Sequence, residues 1–313
     1  MVALHPLQAV HDSATFIAQH ARHVRVDAEA TTALAHRLAE GNTPSVAWDT
    51  IHHFNDGTAR TAQYLLVLDS LNFCFWPQPA WDYNRLALAL KQTMLKEPER
   101  FTAEQLARVT PADVRIMLGD ADDIPLLEQR AMLLREIGTV LEGRWEGEAA
   151  NVVQAAQGSA AALVALITAE FPGFRDHAIY KGFPVYFYKR AQIAVGDLWG
   201  SFGGKGLGAF HDLHDLTMFA DYRVPQILRA EGILVYGNDL AAAVTSQTEI
   251  AAGSEQEVEI RGMTIYAVER LRAELSTLGI SQSSVELDWL LWNIGEARQH
   301  AIAPHHNTLT IYY

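Results

Sequence analysis

The chain of 313 residues contains a single cysteine, Cys74, so no disulfide can form within it. This scarcity fits a reducing compartment, and we expect a cytoplasmic protein. The first 20 residues lack a basic region followed by an apolar run, which argues against a secretory signal. The longest small-apolar run, residues 160–169, is about half of the ~20 residues that span a bilayer. It therefore predicts a buried helix and no membrane partner.

Basic residues are also few. Lys and Arg total 24 against 37 Asp and Glu, which gives a formal net charge of −13. Binding to DNA or RNA draws on cations that neutralise phosphates, so this balance disfavours a polynucleotide substrate. A small anionic ligand remains compatible, because a few local cations can set the field inside a cleft.

Strand signals are sparse, and most of the chain has helical character. Strand-like composition is confined to residues 232–237, 258–260 and 308–313. Helical periodicity or capping patterns occur at residues 28–40, 83–96, 102–105, 110–113, 126–141 and 149–170. The sequence therefore predicts a mainly α fold with a few short strands. We expect one domain over residues 1–313, a two-lobed helical body with a candidate hinge at 142–147 and the site in a cleft between the lobes.

Two short segments are the most informative. Residues 71–77, Leu-Asn-Phe-Cys-Phe-Trp-Pro, combine three aromatic rings with an amide, a composition suited to holding a flat ring by stacking and edge hydrogen bonds. In residues 219–226, Phe-Ala-Asp-Tyr-Arg-Val-Pro-Gln, the proline forces a helix boundary beside Asp221. A carboxylate can stabilise the cation that develops when a glycosidic bond breaks, so together the segments predict chemistry on a nucleobase or nucleotide. The alternative for Asp221 is a helix cap or an ion pair with Arg223.

Three further side chains have a functional and a structural interpretation. Lys189 faces away from the apolar stripe of its predicted helix, so it lines a pocket or is an ordinary solvated lysine. Asp288 lies in an apolar stretch, where it either accepts from two N–H groups of a guanine-like edge or joins a structural pair. Cys74 has no neighbour that would lower its pKa, which favours a small buried thiol over a nucleophile.

Cofactor and metal signals are weak. His211 and His214 have the i, i+3 spacing of metal ligands on a helix, but no diagnostic third ligand lies nearby. The glycine-rich residues 203–208 match neither common phosphate-binding spacing, and a turn between helices explains them better. We therefore predict no metal and no cofactor.

Five separated segments carry a family resemblance: residues 71–77, 188–192, 219–226, 288–292 and 310–313. In these segments the chain resembles the queuosine salvage protein family, the queuosine 5'-phosphate N-glycosidases. The resemblance implies hydrolysis of queuosine 5'-phosphate, with queuosine itself left open as a substrate. The product would be queuine, a 7-deazaguanine base reused in tRNA modification. A fold similar to the helix-hairpin-helix DNA glycosylases is also implied, with residues 171–174 as the hairpin and without the basic surface that holds DNA.

The resemblance also assigns roles to residues. Asp221 would be the catalytic carboxylate and Lys189 its neighbour, orienting it or contacting the phosphate. The substrate-binding residues implied are Asn72, Phe73, Cys74, Trp76, Arg190, Tyr222, Asp288 and Trp289. Asp288 would read the guanine-like edge of the base. The alternative function is that of a non-catalytic protein that binds queuine or a related deazaguanine, while a DNA-lesion glycosylase is disfavoured by the charge.

Overall fold

A computed structural model describes residues 5–41, 48–77, 81–120 and 124–313. Fourteen α-helices and four short strands occur in these ranges, so the predicted mainly α fold is confirmed. The chain divides into two compact units. The first unit comprises Met1–Val46, His177–Lys189 and His214–Leu309, and the second comprises Ala47–Asp176, Arg190–Leu213 and Thr310–Tyr313. No helix in the described ranges is long and apolar enough to cross a membrane.

The first unit is built around one long helix. Its helices are α1 (Pro6–His20), α2 (Ala28–Glu40), α11 (Arg223–Ala230), α12 (Asn238–Thr245), α13 (Glu255–Thr277) and α14 (Ser284–Arg298). Helix α13 packs against α1, α2, α11 and α14, and it is buried over most of its circumference. A helix in this position loses the clear division into an apolar and a polar face. This is why residues 258–260, inside α13, were wrongly predicted as a strand.

Two antiparallel strand pairs complete the first unit. Strand β1 (Val24–Val26) pairs with β4 (Leu234–Tyr236), with Arg25 opposite Val235. Strands β2 (His177–Tyr180) and β3 (Phe183–Tyr186) form a hairpin. The prediction at residues 232–237 is thus confirmed by β4, while residues 308–313 form no strand.

The regular elements described in the second unit are all helices. Its helices are α3 (Ala59–Ser70), α4 (Tyr83–Lys96), α5 (Ala103–Arg108), α6 (Pro111–Met117), α7 (Leu127–Arg144), α8 (Ala149–Ala155), α9 (Ala160–Glu170) and α10 (Lys189–Ser201). The first residue of α10, Lys189, is assigned to the first unit, and the rest of that helix belongs to the second. The caps predicted at Thr102 and Thr110 are present. The single helix expected over 149–170 is instead divided at Gly158, whose φ of 76° lies in the left-handed region.

Two organisational predictions stay predictions. Residues 142–147, the candidate hinge, lie at the end of α7 and in the turn that follows, inside the second unit. The likeness to helix-hairpin-helix glycosylases is likewise untested. Between α9 and α10, Pro172–Phe174 form one 3-10 turn and the β2–β3 hairpin follows, so more than a short loop separates the two helices.

Candidate active site

Asp221 lies two residues before the start of α11, at the helix boundary predicted from Pro225. Its Oδ1 atom accepts hydrogen bonds from the backbone N–H groups of Arg223 and Val224, each at 3.0 Å. These donors belong to the first turn, where helix N–H groups lack intrahelical partners and attract negative charge. Asp221 is 8% exposed. The carboxylate therefore binds the first two N–H groups of α11 from a buried position, one residue ahead of the N-cap Tyr222.

The electrostatic environment of Asp221 has opposing components. Burial raises the pKa of its carboxyl group above the usual range, while the charge of Lys189 acts against this shift. The N–H group of Val224 and the charge of Arg223 act in the same direction as Lys189. A buried carboxylate beside a cation is a common arrangement at functional sites, because interactions in a low-dielectric interior are strong.

Lys189 is the first residue of α10 and is 3% exposed, so the solvated interpretation is wrong. It follows Tyr188, whose φ of 49° places a non-glycine residue in the left-handed region. Such a conformation costs about 1–3 kcal/mol and persists only where the surroundings impose it. The backbone that presents Lys189 is therefore held in place by its neighbours.

The segment before α11 is held by two further helices. Oδ1 of Asp288, in α14, accepts a hydrogen bond from the Phe219 N–H at 2.9 Å. The Nε–H of Arg261, in α13, donates to the carbonyl oxygen of Ala220 at 3.1 Å. Charged side chains from two helices thus fix the two residues that precede Asp221.

Arg223, the first residue of α11, links this helix to α14. Its guanidinium donates to Glu296 at 2.6 Å, to Gln226 at 2.5 Å and to Gln299 at 3.0 Å. A Cβ atom on Gly295 would lie 2.9 Å from the Arg223 side chain, so the two helices approach closely at that glycine. These contacts fix the orientation of α11 and with it the N–H groups that bind Asp221.

Tyr222 stands between the carboxylate and α11 and is partly exposed. Its ring lies 4.5 Å from the ring of His305, centroid to centroid. Burial lowers the pKa of His305 to about 4, so the imidazole is neutral at pH 7. Trp289, one residue after Asp288, is also partly exposed.

The aromatic segment 71–76 belongs to the second unit. The Phe73 ring is fully buried, with the guanidinium carbons of Arg130 and Arg190 at 4.3 and 5.3 Å from its centroid. Cation–π contacts of this kind stabilise a desolvated ring. Phe73 therefore forms part of the packing of this unit, and its predicted contact with the base stays a prediction.

Two buried arginines hold the backbone of this segment. Arg130 donates to the carbonyl oxygens of Leu71 at 2.6 Å and of Phe73 at 2.7 Å. Arg190 donates to the carbonyl oxygens of Ser70 and Gly173. Arg190 thus holds the backbone just before the segment, and its predicted role toward the substrate stays a prediction.

The remaining residues of the segment differ in exposure. Asn72 and Cys74 are buried, whereas Phe75 and Trp76 are partly exposed. Cys74 has a φ of 50°, its N–H donates to the Tyr313 carbonyl oxygen at 2.8 Å, and its Sγ is 3.2 Å from the Trp76 carbonyl oxygen. The prediction of a small buried thiol is confirmed. Phe75 and Trp76 are the rings of this segment that retain accessible surface.

One cluster in the described residues has the composition of a cation site. His23, Glu255 and Glu259 place one ligand atom each within 4.8 Å of one another. The ammonium group of Lys181 lies 2.5 Å from Glu255. Glu259 already accepts hydrogen bonds from three backbone N–H groups and from the Tyr180 hydroxyl. These contacts satisfy the carboxylates with protein donors, and the cluster is accordingly an ion-pair network.

Sequence comparison identifies the class of protein. Residues 52–313 match the model of the queuosine salvage protein family, and the chain belongs to that family. It is 46% identical to a queuosine 5'-phosphate N-glycosylase/hydrolase of Dictyostelium discoideum, over 82% of this chain and 79% of the relative. It is 42% identical to the protein of the same name from Sphaerobacter thermophilus, over 95% of each chain. It is 36% identical to the one from Mus musculus, over 98% of this chain and 99% of the relative.

Sequence reasoning missed three residues that hold the segments described above: Arg130 and Arg261 bind backbone carbonyl oxygens, and Glu296 pairs with Arg223. Arg130, Arg261 and Glu296 each lie in a helix with an ordinary mixture of polar and apolar positions. A single charged residue in such a pattern is usually solvated. No local signal separates these three from surface charges, so only their tertiary contacts reveal them.

Proposed function

We propose that this chain hydrolyses the N-glycosidic bond of queuosine 5'-phosphate and releases queuine. In this reaction the bond between C1' of the ribose and the glycosidic nitrogen breaks, and a water oxygen bonds to C1'. One proton of the water ends on the base, and the second product is ribose 5-phosphate. The observation that carries the proposal is family membership over residues 52–313, together with relatives named for this activity that align along almost the whole chain.

Asp221 is the proposed catalytic carboxylate. Breaking a glycosidic bond places positive charge on the sugar, and a carboxylate in a buried site stabilises that charge without reorganising. The two N–H donors of α11 fix the orientation of its Oδ1 atom. Ionised Asp221 then either activates the attacking water or attacks C1' itself.

Lys189 is proposed to keep Asp221 ionised. Burial of a lone carboxyl group favours its neutral form, and the Lys189 charge is the largest influence in the opposite direction. A cation at this position also suits the phosphate of the nucleotide. Lys189 therefore joins Asp221 in the proposed catalytic machinery.

Base binding is proposed for the segment 71–76 and, each by itself, for Tyr222, Asp288 and Trp289, with Arg190 as a support. Phe75 and Trp76 offer accessible aromatic surface, which suits stacking on a deazaguanine ring. Phe75 is an addition to the residues predicted from the sequence. The net charge of −13 argues against a DNA duplex as the ligand and is compatible with a small nucleotide.

The proposed function is tested with the purified full-length chain and queuosine 5'-phosphate. We expect chromatography to show queuine and ribose 5-phosphate accumulating in equal amounts. Queuosine should be tested in parallel, because its turnover measures how far the phosphate is required. Tight binding of queuine without any release of base from either compound would instead support the non-catalytic binding protein and would refute the enzyme.

Replacing Lys189 with methionine is expected to lower kcat at pH 7 by about 10²-fold, because a displaced or protonated carboxylate acts poorly on the sugar. Without the Lys189 charge the pKa of Asp221 rises further, so the acidic limb of the pH–rate profile moves to higher pH. The profile should be measured from pH 4 to pH 9. Lys96→Met, at the exposed end of α4, is the control and should match the unmodified protein. An acidic limb unchanged in Lys189→Met would contradict the assignment.

Asp288 is expected to affect binding more than chemistry. In both Asp288→Asn and Asp288→Ala, loss of the charged acceptor should weaken queuine binding by about tenfold or more. Asparagine retains an oxygen for the Phe219 N–H, whereas alanine leaves this buried donor unpaired and should cost an additional 1–3 kcal/mol or so of stability. Calorimetric titration with queuine and denaturant unfolding measure the two effects. Glu286→Gln on the same helix is the control, and unchanged queuine affinity in both Asp288 variants would assign Asp288 to the support of Phe219 alone.

A further inference from the structure

Arg261 is a buried cation in the interior of α13. Its side chain is 3% exposed, and Glu257, one turn earlier on the helix, lies 3.7 Å from its Nε atom. The Nε–H donates to the Ala220 carbonyl oxygen at 3.1 Å. Its guanidinium carbon also lies 4.0 Å from the centroid of the Phe187 ring. One side chain thus makes a hydrogen bond and a cation–π contact at the same time.

The two contacts fall on the two chain segments that carry the proposed catalytic residues. Ala220 immediately precedes Asp221, and Phe187 lies two residues before Lys189. Both partners are buried, and all of these residues belong to the first unit. Because α13 is the central helix of that unit, Arg261 connects both segments to the most extensively packed element available.

We propose that Arg261 is a positioning residue that sets the spacing between Asp221 and Lys189. This inference rests on the proposed function and deepens it. A planar guanidinium has fixed donor directions and two flat faces, so it can hold a carbonyl oxygen and a ring in one geometry. A lysine ammonium on a flexible stem can keep the charge near Glu257 but cannot reproduce both contacts.

The consequence of losing this connection follows from the distance dependence of electrostatics. The influence of Lys189 on Asp221 falls as the two groups separate, and the N–H donors of α11 cannot compensate for a displaced segment. A shift of about 1 Å at a reacting group can cost about 10²-fold in rate. Lys189 and Arg223 are the charged groups with the largest direct influence on Asp221, whereas Arg261 contacts the preceding residue, Ala220.

Arg261→Met and Arg261→Lys test the proposal in the full-length protein, with queuosine 5'-phosphate as substrate. We expect kcat to fall by about 10²-fold in Arg261→Met with KM within about threefold of the unmodified protein. The acidic limb of the pH–rate profile should move to higher pH, as the influence of Lys189 weakens. Arg261→Lys should recover the melting temperature, since the charge facing Glu257 is kept, yet recover little of the kcat.

Arg272→Met is the matched control, because Arg272 lies on the same helix, pairs with Glu269 at 2.8 Å and donates to a backbone carbonyl oxygen. The proposal is overturned if either Arg261 variant has the kcat and pH profile of this control. It is also overturned if Arg261→Lys restores full activity, since charge alone would then be sufficient. Should Arg261→Met fail to fold, the lysine variant decides alone. If the unmodified protein releases no queuine, the proposed function itself is refuted. If the unmodified protein and the Arg261 variants are equally active, only the role of Arg261 is refuted.

Discussion

Replacing Asp221 with asparagine is expected to abolish queuine release while leaving the protein folded. We expect kcat to fall by about 10³-fold or more, because the charge that faces the developing sugar cation is removed. Asparagine keeps an oxygen for the N–H groups of Arg223 and Val224, so the start of α11 is preserved. Release of queuine should be followed by chromatography over a time long enough to detect a 10³-fold slower reaction.

The same variant is expected to gain stability relative to the unmodified protein as the pH rises. Burial raises the pKa of the Asp221 carboxyl group, so its ionised form is less favourable in the folded state than in the unfolded chain. A carboxyl group with a raised pKa stabilises the fold fully at pH values below its pKa in the unfolded chain. This contribution is lost as the pH rises through its pKa in the folded protein. The neutral asparagine avoids this loss. The melting temperature of the variant minus that of the unmodified protein should therefore be larger at pH 7.5 than at pH 4.

Asp239→Asn is the control for both measurements, because Asp239 is an exposed aspartate in the first turn of α12. It should change neither kcat nor the pH dependence of the melting temperature. Near-normal turnover in the Asp221→Asn variant would remove Asp221 from the mechanism. A melting-temperature difference that falls as the pH rises from 4 to 7.5 would contradict the raised pKa of Asp221.

Replacing Arg130 with methionine is expected to lower the free energy of unfolding by about 3–5 kcal/mol. Arg130 is fully buried, and its guanidinium donates to the carbonyl oxygens of Leu71, Phe73, Cys74 and Pro125. Each buried acceptor left without a donor costs about 1 kcal/mol or more, and a cation–π contact is lost as well. Although burial lowers the pKa of Arg130 to about 9, the group remains charged at neutral pH.

The loss at Arg130 should extend to ligand binding. Segment 71–76 carries the proposed base-binding residues, and three of the four acceptors lie within it. We therefore expect affinity for queuine to fall in Arg130→Met even at temperatures where the protein stays folded. Denaturant unfolding and calorimetric titration measure the two quantities.

Arg135→Met provides the comparison, since Arg135 lies on the same helix and donates to a single carbonyl oxygen, that of Val109. This variant should lose only about 1 kcal/mol and should bind queuine normally. If the two variants prove equally stable, the four hydrogen bonds of Arg130 contribute no more than one. That result would contradict the role of Arg130 in holding the segment.

Much of the local structure was predictable because it depends on short-range signals. Helices at residues 28–40 and 83–96 were predicted with the bounds that the structure shows, and the caps at Thr102 and Thr110 are present. Capping and periodicity act within a few residues, so the sequence displays them directly. The strand predicted at 258–260 was wrong because burial on several sides of α13 removes the periodic signal.

The sequence by itself determined the mainly α fold, the family resemblance and the helix boundary that presents Asp221. Separated motifs and a proline next to a carboxylate are properties of the linear chain, and they need no tertiary information. Only the tertiary structure decided that Lys189 is buried, that Arg130 holds the backbone of the segment 71–76 and that Arg261 holds the backbone before Asp221. Whether a long charged side chain is buried or solvated depends on carbonyl groups and rings from segments distant in the sequence. Those contacts leave no local sequence pattern.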